Sequence, residues 1–293
     1  LTYLVGADKT YAATIRLGME TTTEDAEGEV TTAHGCRIDD LPEERLQEAL
    51  SGLTGVIQQV PSAVSAIKVD GVRAYKRVRD GQDVELEARP VTIHELRPVG
   101  EPRQAGVDLA GAAAGRVSTG AEADGAEGEV QVVDLDVVVS CSSGTYVRAL
   151  ARDLGRALGC GAHLIALRRT GVGPFDVGQA HTLTALSEQV ETDANTPDPR
   201  GAVTVPLEEV ARRCFEQLAL TGEEARALRY GQPLDAAVLE RAEVPEGRRL
   251  GTVASKEISK QRVVAGFAPD GRLVALLRHQ GSRARPVLVL DPA

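Results

Sequence analysis

Between Val130 and Leu158 the spacing of apolar residues changes from one period to another. Val130 to Val139 is a β-branched run that reads as a strand. Cys141-Ser-Ser-Gly144 reads as a turn. Beyond it Val147, Leu150, Ala151, Leu154, Ala157 and Leu158 recur at helical spacing, which predicts an amphipathic helix over Tyr146 to Leu158. A strand followed by a helix with one apolar stripe must bury that stripe against another element of the core. Arg148, Arg152 and Arg156 are four residues apart and share one face of the helix.

A second strand is predicted from Tyr11 to Leu17, where Tyr11, Ala13, Ile15 and Leu17 face one side and Thr14 and Arg16 the other, with Gly18 ending it. Asp39 to Leu50 reads as a helix with Pro42 in its first turn. Residues 101 to 128 hold Gly, Ala and acid with almost no large apolar side chains and read as a surface insertion without order. Residues 191 to 201 are the linker candidate, dividing the chain at about residue 200. Beyond it come Thr221-Gly-Glu-Glu224 at capping-box spacing, Gly231 as a helix stop, and strands over 262–267, 273–277 and 287–290. The C-terminal part therefore reads as a small β-rich module with one helix.

Charge narrows the function. A formal net charge of −10 gives no bulk attraction to nucleic acid or anionic membrane, so any such binding requires local basic surface. Two stretches supply it. Residues 61–80 carry Lys68, Arg73, Lys76, Arg77 and Arg79 against Asp70 and Asp80, and 145–170 carry Arg148, Arg152, Arg156, Arg168 and Arg169 against Asp153. Each holds a tyrosine, Tyr75 or Tyr146, in a chain with five Tyr, three Phe and no Trp. Basic residues beside a stacking ring suit an unstacked RNA nucleotide; Arg152 and Arg156 as solvated helix residues and Tyr75 as core are the simpler account of the same residues. Cys36, Cys141, Cys160 and Cys214 form no C-x-x-C pair and His34, His94, His163, His181 and His279 show no ligand spacing, which argues against zinc and a disulfide scaffold and for a reducing cytoplasm. No apolar run spans a bilayer. The motifs G-x-x-x-x-G-K-S/T, G-x-S-x-G and H-E-x-x-H are absent.

Three blocks in order resemble one family. Lys9-Thr-Tyr11 leading into Arg16-Leu-Gly18, followed by Thr21-Thr-Thr-Glu-Asp25-Ala-Glu-Gly28, resembles the tyrosine-strand motif of the TruB family of bacterial tRNA pseudouridine-55 synthases. Val60-Pro-Ser-Ala-Val-Ser-Ala-Ile-Lys68 with Gly71, Tyr75, Arg79 and Gly81 is similar to the next block. Cys141-Ser-Ser-Gly-Thr-Tyr146-Val-Arg148, Asp153-Leu-Gly155 and Gly161-Ala-His163 through Leu167-Arg-Arg169 are similar to the third.

The resemblance implies an α+β fold: a pseudouridine-synthase-type mixed, largely antiparallel sheet flanked by helices over residues 1–200, and a PUA-like RNA-binding module over 201–293. It implies a monomeric, cytoplasmic isomerase acting on the T-loop uridine of tRNA, with the acceptor arm gripped by the C-terminal module and no metal or cofactor. The base must leave its stack, so contacts in the pocket have to offset unstacking. Tyr11 would lie against the everted base and abstract a proton, unless it is an ordinary inward-facing strand residue. Tyr146 would line the nucleotide pocket or simply pack at the helix start. Arg148 would pair with the catalytic carboxylate. Leu167 would close the apolar side of the pocket, the alternative being a core strand leucine. Asp25 either holds an arginine in place or is a solvated loop acid. Lys68, Lys76 and Arg77 belong to an arm that would fold over the T-loop. One departure stands out: the family's nucleophilic Asp lies in a Gly-Thr-Leu-Asp-Pro type motif upstream of the tyrosine strand, and no such motif precedes Lys9 here. The expectation is a chain lacking the N-terminal part of its catalytic domain and forming no pseudouridine alone. A non-catalytic tRNA-binding or tRNA-folding protein is the alternative.

Overall fold

Nine consecutive residues, Lys9–Leu17, form strand β1, and the predicted alternation is realised in it: Ala13, Ile15 and Leu17 are buried. The structure is a computed structural model that describes residues 6–62, 68–69, 72–73, 86–109, 129–202, 204–244 and 262–293. The chain divides into two compact units, Leu1–Val172 and Gly173–Ala293. That division falls earlier in the chain than the linker expected near residue 200, and it leaves the helix Leu183–Ala194 in the second unit.

In the first unit β1 is followed by β2 (Met19–Thr21), β3 (Val30–Ala33), helix α1 (Glu43–Gly52) and β4 (Gly55–Gln59). A two-residue pairing, β5 (Lys68–Val69) with β6 (Val72–Arg73), comes next. Then come β7 (Arg89–Pro98), β8 (Arg103–Asp108), β9 (Glu129–Cys141), helix α2 (Val147–Leu158) and β10 (Ala162–Val172). The main sheet runs β10-β1-β9-β7-β4, antiparallel throughout. The 13-residue β9 carries β1 along one side, and β7 and β8 end to end along the other.

β8 overturns part of the expectation that 101–128 lacks order. The first half of β9 offers an open edge beyond the end of β7, and Arg103–Asp108 fills it from Arg103 opposite Asp134 to Asp108 opposite Glu129. Its apolar residues are small (Ala105 and Val107), but they pack against a minor cluster of Met19, Ala33 and Val132. A sparse pattern suffices where a partner strand supplies the backbone hydrogen bonds. Residues 110–128 lie outside the described residues.

Helix α2 lays Val147, Leu150, Ala151, Leu154 and Leu158 into the main core with Ile15, Leu17, Leu135 and Val137, and α1 adds Leu46 and Leu50. The helix ends at Gly159, whose left-handed φ of 75° suits a residue with no Cβ. Pro42 precedes α1 as its N-cap, and a short 3-10 turn, Ile38–Asp40, replaces the predicted first helical residues.

The second unit has a short strand β11 (Phe175–Asp176), helices α3 (Leu183–Ala194) and α4 (Leu207–Cys214), β12 (Glu216–Ala219), α5 (Gly222–Arg229), β13 (Leu234–Asp235), β14 (Val263–Phe267), β15 (Leu273–Gln280) and β16 (Arg283–Val289). Its sheet order is β12-β14-β15-β16-β13. The capping box forms as the sequence predicts: Glu224 N–H donates to Thr221 Oγ1 and Glu224 Oε2 accepts from Thr221 N–H. Over 201–293 two α-helices, α4 and α5, replace the single one expected, and α3, which precedes that stretch, buries no side chain fully, so its apolar signal is faint.

Candidate active site

The site is assembled where the amino end of α2 meets the β2–β3 hairpin, the end of β4 and the middle of β10. Asp25 lies in the hairpin loop. Its Oδ1 accepts from Thr23 Oγ1 at 2.5 Å and from Glu27 N–H at 3.1 Å, an arrangement that folds the loop around the carboxylate. Its Oδ2 lies 2.7 Å from Nε of Arg148, in the first turn of α2. Asp25 also forms a bridge with Leu164 of β10, and Leu164 N–H donates to the Glu24 carbonyl at 3.0 Å. The hairpin is thereby laced to the sheet, and of the two sequence readings of Asp25 the structure takes the arginine-holding one. Arg148 was expected to face the nucleophilic carboxylate. Among the described residues its ion-pair partner is Asp25, because the loop delivers a preformed carboxylate to that guanidinium.

One turn further along α2, Arg152 is nearly buried, unlike the solvated residue that was one reading of it. Its Nη1 donates to Glu24 Oε1 at 2.7 Å, its Nε to Asp153 Oδ1 at 2.9 Å and its Nη2 to the Val60 carbonyl at 2.8 Å. Burial works against its charge, and Asp153 and Glu24 outweigh burial, so its pKa is raised. Arg156 is exposed, 4.0 Å from Asp153, and fits the solvated reading.

Tyr146 precedes α2 and presents an extended backbone to Gln59, the last residue of β4. Gln59 is 1% exposed; its Oε1 accepts from Tyr146 N–H at 2.8 Å and its Nε2 donates to the Tyr146 carbonyl at 3.2 Å. A buried amide is satisfied while fixing the entry to the helix. A cavity of about 230 Å³ opens here, lined by Gln59, Pro61, Arg89, Ser143 and Tyr146 among others. Gln59 escaped the sequence reading because a lone glutamine ending a strand carries no periodic or motif signal.

Tyr11 sits on the sheet face that carries the main core and packs against that core, opposite Val139 of β9 and Arg169 of β10. Burial and the neighbouring Cys141 raise its phenol pKa, while the Arg169 guanidinium, hydrogen-bonded to the side chain, pulls it down. Arg169 is a further site candidate, visible in sequence only as part of an Arg-Arg pair. Leu167 pairs with Ala13 and is 47% exposed, so it is not a core leucine. Lys68 falls in β5, where the backbone alone is described; Lys76 and Arg77 lie outside the described residues. No group of three His, Cys, Asp or Glu that could hold a metal occurs among the described residues.

A tyrosine strand and an arginine helix pinned by an acidic hairpin, on a largely antiparallel sheet, form the arrangement that the resemblance to the TruB family implies. The solved structures agree on the fold. A Cbf5–Nop10–Gar1 complex aligns at a TM-score of 0.59 and 20% identity, covering 99% of this chain and 69% of that one. A second, an H/ACA RNP bound to a substrate RNA containing 2'-deoxyuridine, aligns at 0.55 and 17%, covering 99% and 68%. Residues 1–110 match the TruB family pseudouridylate synthase N-terminal domain, 148–212 the tRNA pseudouridylate synthase B C-terminal domain, and 240–291 the tRNA pseudouridine synthase II C-terminal domain. The tRNA pseudouridine synthase B of Arthrobacter sp. (strain FB24) is 44% identical over 295 residues, covering 100% of this chain and 80% of the relative. That of Leifsonia xyli subsp. xyli (strain CTCB07) is 42% identical over 294 residues, covering 100% and 79%. The chain belongs to the TruB family of tRNA pseudouridine synthases, enzymes that isomerise uridine to pseudouridine. No helix among the described residues is long and apolar enough to cross a membrane.

Proposed function

We propose that this protein acts on the T-loop uridine at tRNA position 55, as a cytoplasmic monomer, with the base everted into the cleft between β1, β10 and the start of α2. The C1'–N1 bond breaks, the base turns, and a C1'–C5 bond forms; C5 gives up its proton and N1 gains one, so the change is an isomerisation. Tyr11 lies against the base and takes the C5 proton. A phenol held neutral by burial is a poor base, and Arg169 beside it lowers the cost of the phenolate. Arg148, engaged by Asp25 through Nε, has further N–H donors with which to orient a reacting carboxylate. Tyr146 and Leu167 supply the ring and the apolar wall that compensate for lost stacking. Lys68, Lys76 and Arg77 contact phosphate on an arm over the T-loop, and the second unit grips the acceptor arm.

The observation that carries this reading is the Asp25–Arg148 pair at the amino end of α2, beside a tyrosine whose backbone is fixed by Gln59. The test is nucleoside mapping of an unmodified tRNA transcript after incubation with the protein expressed from its complete reading frame. Pseudouridine at position 55 is the expected product; pseudouridine elsewhere in the tRNA, or none, overturns the assignment.

A further inference from the structure

Glu24 is the one residue other than glycine with positive φ among the described residues, at 62°. A side-chain-bearing residue keeps that conformation only where its surroundings fix it. Three contacts do so here. Glu24 N–H donates to the Thr21 carbonyl at 3.2 Å, its carbonyl accepts from Leu164 N–H at 3.0 Å, and its carboxylate accepts from Arg152 at 2.7 Å. Of these only the third reaches across to α2. The other Glu24 oxygen, Oε2, is buried with no hydrogen-bond partner among the described residues, so Arg152 alone neutralises this carboxylate.

The next residue in the chain is Asp25, and the backbone turn at Glu24 decides where its carboxylate points. Arg152 also donates to the carbonyl of Val60, adjacent to the Gln59 that fixes Tyr146. One guanidinium therefore fastens the acidic hairpin, the end of β4 and helix α2 to one another. A solvated helix face is one reading of Arg152 from sequence; its side chain is 11% exposed.

We propose that Arg152 is a positioning residue for the isomerisation: by clamping Glu24 and Val60 it holds Asp25 against Arg148 and keeps the Arg148 guanidinium aimed at the reacting group. This rests on the function proposed above. Lysine at this position keeps the charge, but its three donors radiate from one nitrogen on a flexible stem and cannot reach three acceptors spread around a planar fork.

The experiment measures single-turnover pseudouridine formation on unmodified tRNA with the complete protein, together with tRNA affinity. Arg152→Lys is expected to slow the chemical step about tenfold or more while affinity stays within about twofold, since misplacing a positioned group costs rate rather than binding. Arg156→Gln, on the same helix face but exposed, keeps the wild-type rate. In an Asp25→Asn background, where the clamped pair is already broken, Arg152→Lys is expected to add less than about twofold. A purely structural arginine would cost the same factor in both backgrounds, and that result overturns the proposal. So does an undiminished rate for Arg152→Lys. If that variant does not fold, Glu24→Gln, which keeps the shape and removes the charge, carries the same expectations. A wild-type protein that makes no pseudouridine defeats the isomerase reading and this role with it, whereas product from the wild type beside an unaffected Arg152→Lys defeats this role alone.

Discussion

Asp25 Oδ2 and Arg148 Nε stand 2.7 Å apart, joining a hairpin loop to the first turn of a helix 123 positions later in the chain. Asp25 is mostly shielded from solvent and its other oxygen is fully used by the loop, so the pair is a fixed strut rather than a loose surface contact. Asp25→Asn keeps the shape and the loop hydrogen bonds but removes the charge that holds the guanidinium. The expected outcome is a loss of about 10²-fold in kcat, the scale of a displaced catalytic group, with little change in the affinity for tRNA. Rapid-quench kinetics beside filter binding separates the two, and a variant with unaltered kcat would show that the strut is dispensable.

Arg169 faces Tyr11 across the β1–β10 pairing and is the group that favours its phenolate. Removing that charge leaves burial and Cys141 unopposed. Arg169→Gln should therefore raise the pKa of Tyr11 further and move the rising limb of the rate–pH profile, which ionisation of a base sets, to higher pH. Ultraviolet titration of wild type, Arg169→Gln and Tyr11→Phe assigns the phenol directly. A Tyr11 titration that does not move in Arg169→Gln contradicts the pairing.

The elements with strong periodicity were legible. Ala13, Ile15 and Leu17 point into the core as their alternation requires, and α2 begins and ends within a residue of its apolar stripe. The motifs pointed to Tyr11, Asp25, Tyr146 and Arg148, and each of these has a defined neighbour in the fold: the main core for Tyr11, Gln59 for Tyr146, and each other for Asp25 and Arg148. What stayed hidden depends on tertiary pairing. Arg152 and Arg156 look alike on a helical wheel, and only the approach of Glu24 and Val60 buries one of them. β8 exists because β9 has an open edge, a fact invisible in its own small residues. Gln59 matters through the hydrogen bonds of its side-chain amide to the backbone of Tyr146, 87 positions away.

His163 supplies a pH signature. It is 4% exposed, and Nδ1 lies 3.0 Å from the carbonyl of Met19. Burial pushes its pKa below the usual value of 6.5, with the positive charge of Arg16 adding to the effect and the Met19 carbonyl and Asp134 opposing it. The folded state thus binds its proton less readily than the unfolded chain. The resulting stability is intact above about pH 6.5, the unfolded value, and drains away as pH falls through the lower, folded value. Melting temperatures from pH 7.5 to pH 5 should decline, each kcal/mol lost appearing as about 2–4 °C for a chain of this size. His163→Gln, which keeps a donor for Met19 and does not titrate, should flatten the slope in that window. An equal slope in both proteins would rule His163 out as its source.

Gly155 reverses a familiar expectation. Exchanging glycine for alanine inside a helix ordinarily stabilises it by about 1 kcal/mol. Here α2 crosses the start of β10 so closely that a Cβ at Gly155 would sit 2.3 Å from the Ala162 nitrogen and 2.4 Å from the Gly161 carbonyl carbon. Both are backbone atoms, and the Gly155 carbonyl also accepts from Cys160 and Gly161 N–H at 3.1 Å each, so neither side can give way cheaply. Gly155→Ala should destabilise the protein by about 1–3 kcal/mol, the cost of overpacking. Urea denaturation measures it, and a midpoint at or above wild type would mean that the helix can lift off β10.

The two cysteines that meet in the fold have thiol pKa values shifted in opposite directions. Cys36, just after β3, donates its S–H to Cys160, in the turn after α2, and burial adds to the penalty on its thiolate, so its pKa is pushed far up. Cys160 accepts that hydrogen bond and its pKa is lowered. The thiolate is the reactive form, so limiting iodoacetamide at pH 8 should label Cys160 before Cys36. Peptide mapping at increasing reagent gives the order. In Cys36→Ser the weaker hydroxyl–sulfur contact should slow the labelling of Cys160, whereas a rate equal to wild type, or Cys36 reacting first, would show that the hydrogen bond does not set which sulfur is ionised.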